Sequence, residues 1–123
     1  MIDWDKPTAL MLGRWQPWHQ GHQELFKKSL EKTGQVIIMV RSMPISENNP
    51  YDFEQVKEKI KYALREYKGK FEIIQVPNIT NICYGRDVGY KVEEIVLPDK
   101  IQAISATKIR KLNATKNRIS TRI

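Results

Sequence analysis

The sequence predicts an α/β domain of three layers, and three observations predict it. Short runs rich in Val, Ile and Leu alternate with longer segments whose apolar residues recur at helical spacing. One of the short runs, residues 35–41, has no polar alternation, as expected of a strand buried on both faces of a parallel sheet. With 123 residues and 14.4 kDa the chain builds one such core and little more.

Taken in order, residues 8–12 (Thr-Ala-Leu-Met-Leu) read as a buried strand ended by Gly13. Residues 21–32 place Leu25, Phe26 and Leu30 on one helical face, and Gly34 suits the cap that closes the helix. The second strand is 35–41. The Ser, Asn and Pro content of 42–50 marks a loop. Asp52-Phe53-Glu54-Gln55 has the spacing of a capping box. The helix it opens carries Phe53, Val56, Ile60, Ala63, Leu64 and Tyr67 to a stop at Lys68-Gly69. Residues 71–76 make a third strand, 79–84 a weaker fourth and 91–97 a fifth, and a short helix is expected over 105–112.

Charge and composition narrow the function classes. Net charge is +7, yet residues 1–99 hold all 14 acids and 14 of the 21 Lys and Arg, so that stretch is neutral. The other seven cations lie in the last 24 residues, where there is no acid. A neutral body with one basic end points to a local phosphate site or a basic tail, and makes a nucleic-acid-binding surface unlike the expectation. The longest aliphatic run, residues 36–40, is too short to cross a bilayer, and the first residues lack the basic and apolar pattern of a signal peptide. The single cysteine, Cys83, excludes an intrachain disulfide and fits a reducing compartment; a cytoplasmic location is expected.

Both histidines of the chain fall within Gly13-Arg14-Trp15-Gln16-Pro17-Trp18-His19-Gln20-Gly21-His22. A metal site built on His19 and His22 would need a third ligand, and the chain offers no further histidine and one isolated cysteine. Packing in the core is the bland reading of a histidine on a helix face. Against it, the pair starts a helix just beyond the C-terminal end of the first strand, where open α/β sheets bind ligands. Orphan N–H groups and the positive end of the helix dipole favour an anion there. Gly21 leaves room for a nucleotide to approach the backbone, which neither other reading explains.

His19-Gln20-Gly21-His22 resembles the signature of the nucleotidyltransferase superfamily, which includes the cytidylyltransferases and the nicotinamide-mononucleotide and pantetheine-phosphate adenylyltransferases. The longer match, residues 13–22, is most similar to the archaeal-type nicotinamide-mononucleotide adenylyltransferases. Ile104-Ser105-Ala106-Thr107-Lys108-Ile109-Arg110 resembles the second signature, and Asn49-Pro50-Tyr51 a further family stretch between the two. The resemblance spans residues 8–111.

What the resemblance implies is a Rossmann-like domain over residues 1–112 with a basic tail at 113–123. Its parallel five-stranded sheet would have the order 3-2-1-4-5, with helices on both faces. A nucleotidyl group, AMP slightly favoured over CMP, would pass from a nucleoside triphosphate to a small phosphorylated acceptor, releasing pyrophosphate. His19, His22 and Arg110 would be catalytic. Gly13, Arg14, Trp15, Gly21, Ser105, Ala106, Thr107 and Lys108 would bind the nucleotide, and Mg²⁺ would be held mainly through the triphosphate. Acceptor contacts fall to Trp18, Arg41 and Arg86, with packing of the tryptophans against the sheet and a surface turn at Arg86 as the competing readings. A homodimer is implied as well. Two departures stand out: Gln55-Val56 replaces a Glu-Arg pair of the similar adenylyltransferases, and the stretch between Ile79 and Lys100 is short. Both weaken nicotinamide mononucleotide as acceptor. The competing function is an inactive nucleotide-binding or RNA-contacting module of the same fold.

Overall fold

The polypeptide alternates strand and helix from its first apolar run, in a computed structural model that describes residues 1–86 and 89–97. Strand β1 (Ala9–Gly13) leads to helix α1 (Gln20–Thr33), strand β2 (Val36–Arg41), helix α2 (Phe53–Ala63), a 3₁₀ turn (Arg65–Tyr67) and strand β3 (Phe71–Val76). Helix α1 stops at Gly34, whose left-handed φ of 83° lets its N–H reach the Leu30 carbonyl at 2.7 Å. The Asp52 carboxylate accepts from the Gln55 amide and the Gln55 side chain from the Asp52 amide, closing the expected capping box on α2. Helical periodicity runs on to Tyr67, but α2 ends at Ala63 and its last turn tightens into the 3₁₀ segment.

The three strands are parallel, in the order β1-β2-β3, with Leu10 opposite Ile37 and Ile37 opposite Glu72. Two right-handed crossovers that step the same way across a sheet put both helices on one face. The core lies there: Met11, Val36, Ile38 and Val40 from the sheet meet Phe26 of α1 and Val56, Ile60 and Leu64 of the second helical segment. Burying each of these larger side chains contributes about 1.5–3 kcal/mol. The N-terminal arm is fastened by buried Gln35, which exchanges hydrogen bonds with both backbone groups of Asp3 and donates to Thr8 Oγ1.

Two expectations change. Residues 79–84 and 91–97 form no strand, so the described sheet has three strands instead of five. Their β-forming side chains Ile82, Tyr84, Val92 and Val96 are all mostly exposed, and strand propensity without a surface to pack on does not hold a strand. The described residues also build two layers and not three, since the sheet face carrying Leu10, Leu12, Ile37, Met39 and Ile74 has no helix on it among them. Leu10 is 50% exposed as a result. The expected helix over 105–112 and the tail at 113–123 lie outside the described residues. No described helix is long and apolar enough to cross a membrane.

Candidate functional site

All three strands end at one edge of the sheet, and the turn from β1 into α1 crosses that edge. Gly13 closes β1 beside the Trp15 indole: a Cβ on Gly13 would fall 2.9 Å from a ring carbon of Trp15. Trp15 has a left-handed φ of 53° and its Nε1–H donates to the Met39 carbonyl at 3.0 Å, so the strained residue is pinned to β2. At 6% exposure Trp15 packs in the core and not in an open cleft. Gln16 is buried too, accepting from the Tyr51 amide at 3.0 Å and donating to the Tyr51 carbonyl at 2.9 Å. The turn is thereby tied to the start of α2.

His19 is the N-cap of α1 and His22 its third residue. His19 Nδ1 accepts from the Gly21 amide at 3.0 Å, and His22 Nδ1 accepts from the His19 amide at 3.1 Å. This is a capping box in which imidazoles replace the usual hydroxyl and carboxylate. The spacing of the two histidines is therefore set by the helix end. An acceptor Nδ1 carries no proton, so in a neutral ring the proton sits on Nε2. Burial lowers the pKa of His19, and burial together with the neighbouring His19 pushes His22 down to about 3 from an ordinary 6.5. Both rings are neutral at pH 7.

The rings stack at 3.6 Å with 20° between their planes. Trp15 meets His22 edge-on at 4.7 Å, and Trp18 packs 5.5 Å from it. Trp18 Nε1–H donates to Gln23 Oε1 at 2.9 Å while Gln23 Nε2 donates to the Ala63 carbonyl at 3.0 Å, linking the turn to the end of α2. Each imidazole is thus held by its backbone bond on one edge and by aromatic faces on its sides. The Nε2–H groups have no partner among the described residues, and they form two adjacent neutral donors at a helix N-terminus. Packing and capping thus take up the Nδ1 edge and the faces of the rings, and leave the Nε2 edges unused among the described residues.

The remaining candidates spread around this centre. Gly21 is buried in the first turn. Arg14 donates to Asn49 Oδ1 at 3.3 Å, across from the loop that precedes α2. Arg41, at the end of β2, donates through Nη2 to Asn78 at 2.8 Å, while its Nε is buried without a partner among the described residues. Arg86 is exposed, with no hydrogen bond to the turn. Ser105, Ala106, Thr107, Lys108 and Arg110 lie outside the described residues. Among the described residues no group of three His, Cys, Asp or Glu side chains could hold a metal ion. Gln23 escaped sequence reasoning, and Gln16 and Asn49 entered it only as parts of motifs, since a glutamine or asparagine carries no spacing signal that names its partner.

No family model matches the chain. A nicotinamide-nucleotide adenylyltransferase of Methanococcus vannielii is 34% identical over 73 residues, covering 58% of this chain and 42% of that protein. Its namesake in Saccharolobus solfataricus is 28% identical over 115 residues, covering 69% and 67%. A crystal structure of a bifunctional NMN adenylyltransferase/ADP ribose pyrophosphatase from Francisella tularensis, complexed with AMP and Mn ion, has a TM-score of 0.47 at 28% identity and covers 58% of this chain and 22% of that one. The chain spans less than half the length of the first of these relatives.

Proposed function

We propose, because the chain belongs to the nucleotidyltransferase superfamily, that it transfers AMP from ATP to a small phosphorylated acceptor and releases pyrophosphate. Relatives named as adenylyltransferases favour AMP over CMP. The observation that carries the reading is the stacked, neutral His19–His22 pair, with both Nδ1 atoms committed to the backbone and both Nε2–H groups left to a ligand.

In this reaction an acceptor phosphate oxygen attacks the α-phosphorus in line with the departing pyrophosphate, and no enzyme nucleophile is required. The protein has to place the reactants and spread the charge that develops on the α-phosphoryl oxygens. Nε2–H of His22 would donate to one of those oxygens and His19 to a neighbouring one, next to the positive end of the α1 dipole. Neutral donors serve here without trapping the anionic product as a salt pair. Mg²⁺ enters as part of the Mg–triphosphate substrate, on phosphate oxygens and water. By resemblance, Ser105, Thr107 and Arg110 would take the β- and γ-phosphates, with Lys108 beside them.

For the acceptor, Arg41 is the candidate that the geometry favours. Its buried Nε–H lacks a partner among the described residues at the strand edge nearest the turn, and a phosphate there would supply an acceptor. The absent Glu-Arg pair at Gln55-Val56 leaves the acceptor defined only as a phosphorylated small molecule. The test is pyrophosphate release from each nucleoside triphosphate against a panel of phosphorylated acceptors. Release with ATP and one acceptor is expected. Triphosphate binding without release for any pair would make the chain a binding module, and no binding at all would remove the assignment.

A further inference from the structure

Far from the histidines in sequence, α2, the 3₁₀ turn and β3 border an open surface pocket of about 350 Å³. Its floor is apolar: Leu64, Phe71 and Ile73 line it. Four cations, Lys57, Lys61, Arg65 and Lys68, stand around it against one carboxylate, Glu72. Among the described residues only Lys61 of the four has an ion-pair partner, Glu58 at 3.9 Å, in an exposed pair of little worth. Arg65 lies over the Tyr62 ring at 4.3 Å and Lys57 5.8 Å from the Phe53 ring. Neither Lys68 nor Glu72 makes an ion pair among the described residues.

Lys57, Lys61 and Arg65 follow one another at four-residue intervals, so like charges stack along one helical stripe. Each such pair costs about 0.2–0.5 kcal/mol of helix stability, and apart from the exposed Glu58 pair no carboxylate among the described residues repays it. An anion placed among them would. The floor adds a second requirement, because a small hydrated anion gains nothing from Leu64, Phe71 and Ile73. A volume of this size suits a small organic ligand.

We infer that the pocket between α2 and β3 is a binding site for an amphipathic organic anion, its apolar body on Leu64, Phe71 and Ile73 and its acidic group among Lys57, Lys61, Arg65 and Lys68. A second copy of the chain is disfavoured as occupant, since two rings of like charge would face each other.

The site is tested on the full chain with 8-anilinonaphthalene-1-sulfonate as the probe, followed by fluorescence and by amide chemical shifts. Saturable binding is expected, with shifts concentrated in residues 57–73. The double variant Lys61→Glu/Lys68→Glu should weaken binding at least tenfold while circular dichroism and thermal unfolding stay as in the parent. Decanoate should displace the probe at concentrations where inorganic phosphate does not, and N-phenyl-1-naphthylamine, which lacks the sulfonate, should bind far more weakly. Unchanged affinity in a folded double variant, or shifts centred elsewhere, would overturn the site. Equal displacement by phosphate would overturn its apolar half, and equal binding of the neutral naphthylamine its ionic half. Pyrophosphate release measured on the same double variant separates this site from the proposed activity, because none of these residues belongs to the histidine turn.

Discussion

Replacing His22 by alanine removes two things at once, and their sizes differ. On the catalytic side it deletes one preorganised donor. Such losses reduce turnover by about 10²–10³-fold, near 3 kcal/mol of transition-state stabilisation. On the structural side it frees the His19 amide from its 3.1 Å bond and strips an edge-on ring from Trp15. A lost cap costs about 1 kcal/mol and a lost aromatic pair about 1 kcal/mol more. The protein should therefore stay folded with a lower melting temperature, and pyrophosphate release per folded molecule should fall by at least ~10². Triphosphate affinity should fall far less, because contacts made equally in ground and transition state remain. His22→Asn, which keeps a donor, should retain more turnover than alanine. The assay is single-turnover pyrophosphate release alongside thermal unfolding and triphosphate titration. A folded His22→Ala variant with parental turnover would refute the reasoning and leave the histidines purely structural.

Further outcomes follow from the same geometry. With only two histidines in the chain, imidazole nitrogen NMR should show both rings as neutral Nε2–H tautomers at pH 7; an Nδ1–H signal on either ring would break the donor assignment. Stability depends on pH through His22: its folded pKa near 3 lies below the ordinary 6.5, so the unfolded chain takes up the proton first. The contribution is complete above about pH 6.5 and is lost as pH falls toward 3, at up to ~1.4 kcal/mol per pH unit, a slope that urea midpoints should show and His22→Ala should lose. Gln23→Leu cuts the Trp18 and Ala63 bonds and should cost about 1–3 kcal/mol of stability, with a change in tryptophan emission; an unaltered urea midpoint would show that the link does not hold the turn. Truncation after Leu112 should leave triphosphate affinity nearly unchanged, and a large loss would place Lys116, Arg118 or Arg122 in the site.

How legible these features were depended on whether the signal was local. Both helices and the first three strands follow from short-range rules: apolar period, the Asp52–Gln55 box, and Gly34 in a left-handed cap. The false strands at 79–84 and 91–97 failed for the opposite reason. Ile82 and Val92 have the right residue type, but a strand is made by the surface it packs on, which no local pattern records. The sequence could not show that Trp15 is buried and bonded to the Met39 carbonyl, because that partner lies 24 positions away. Gln16 and Gln23 were invisible because their partners Tyr51 and Ala63 are 35 and 40 residues distant.

The histidine turn also shows why these residue types occupy a helix start where Ser, Asp and Glu are the ordinary choices. A capping box needs two acceptors, at the N-cap and three residues on. Glutamate in the second place would satisfy the His19 amide as well as His22 does, but it would set a negative charge where we propose that a triphosphate binds. A serine would cap and then have only its hydroxyl proton to offer. Neutral imidazole accepts with one nitrogen, donates with the other and holds no charge, as an Asn or Gln amide also can, and burial against Trp15 and Trp18 keeps the ring neutral. If that is the reason for the pair, Ser at 19 with Glu at 22 should rebuild the cap and keep the fold, while triphosphate affinity drops by at least tenfold. The double variant His19→Ser/His22→Glu, measured by thermal unfolding and by triphosphate titration, separates the two demands on one turn of helix. Parental stability with lost affinity supports the division of labour between Nδ1 and Nε2, and parental affinity would show that the anion is held elsewhere.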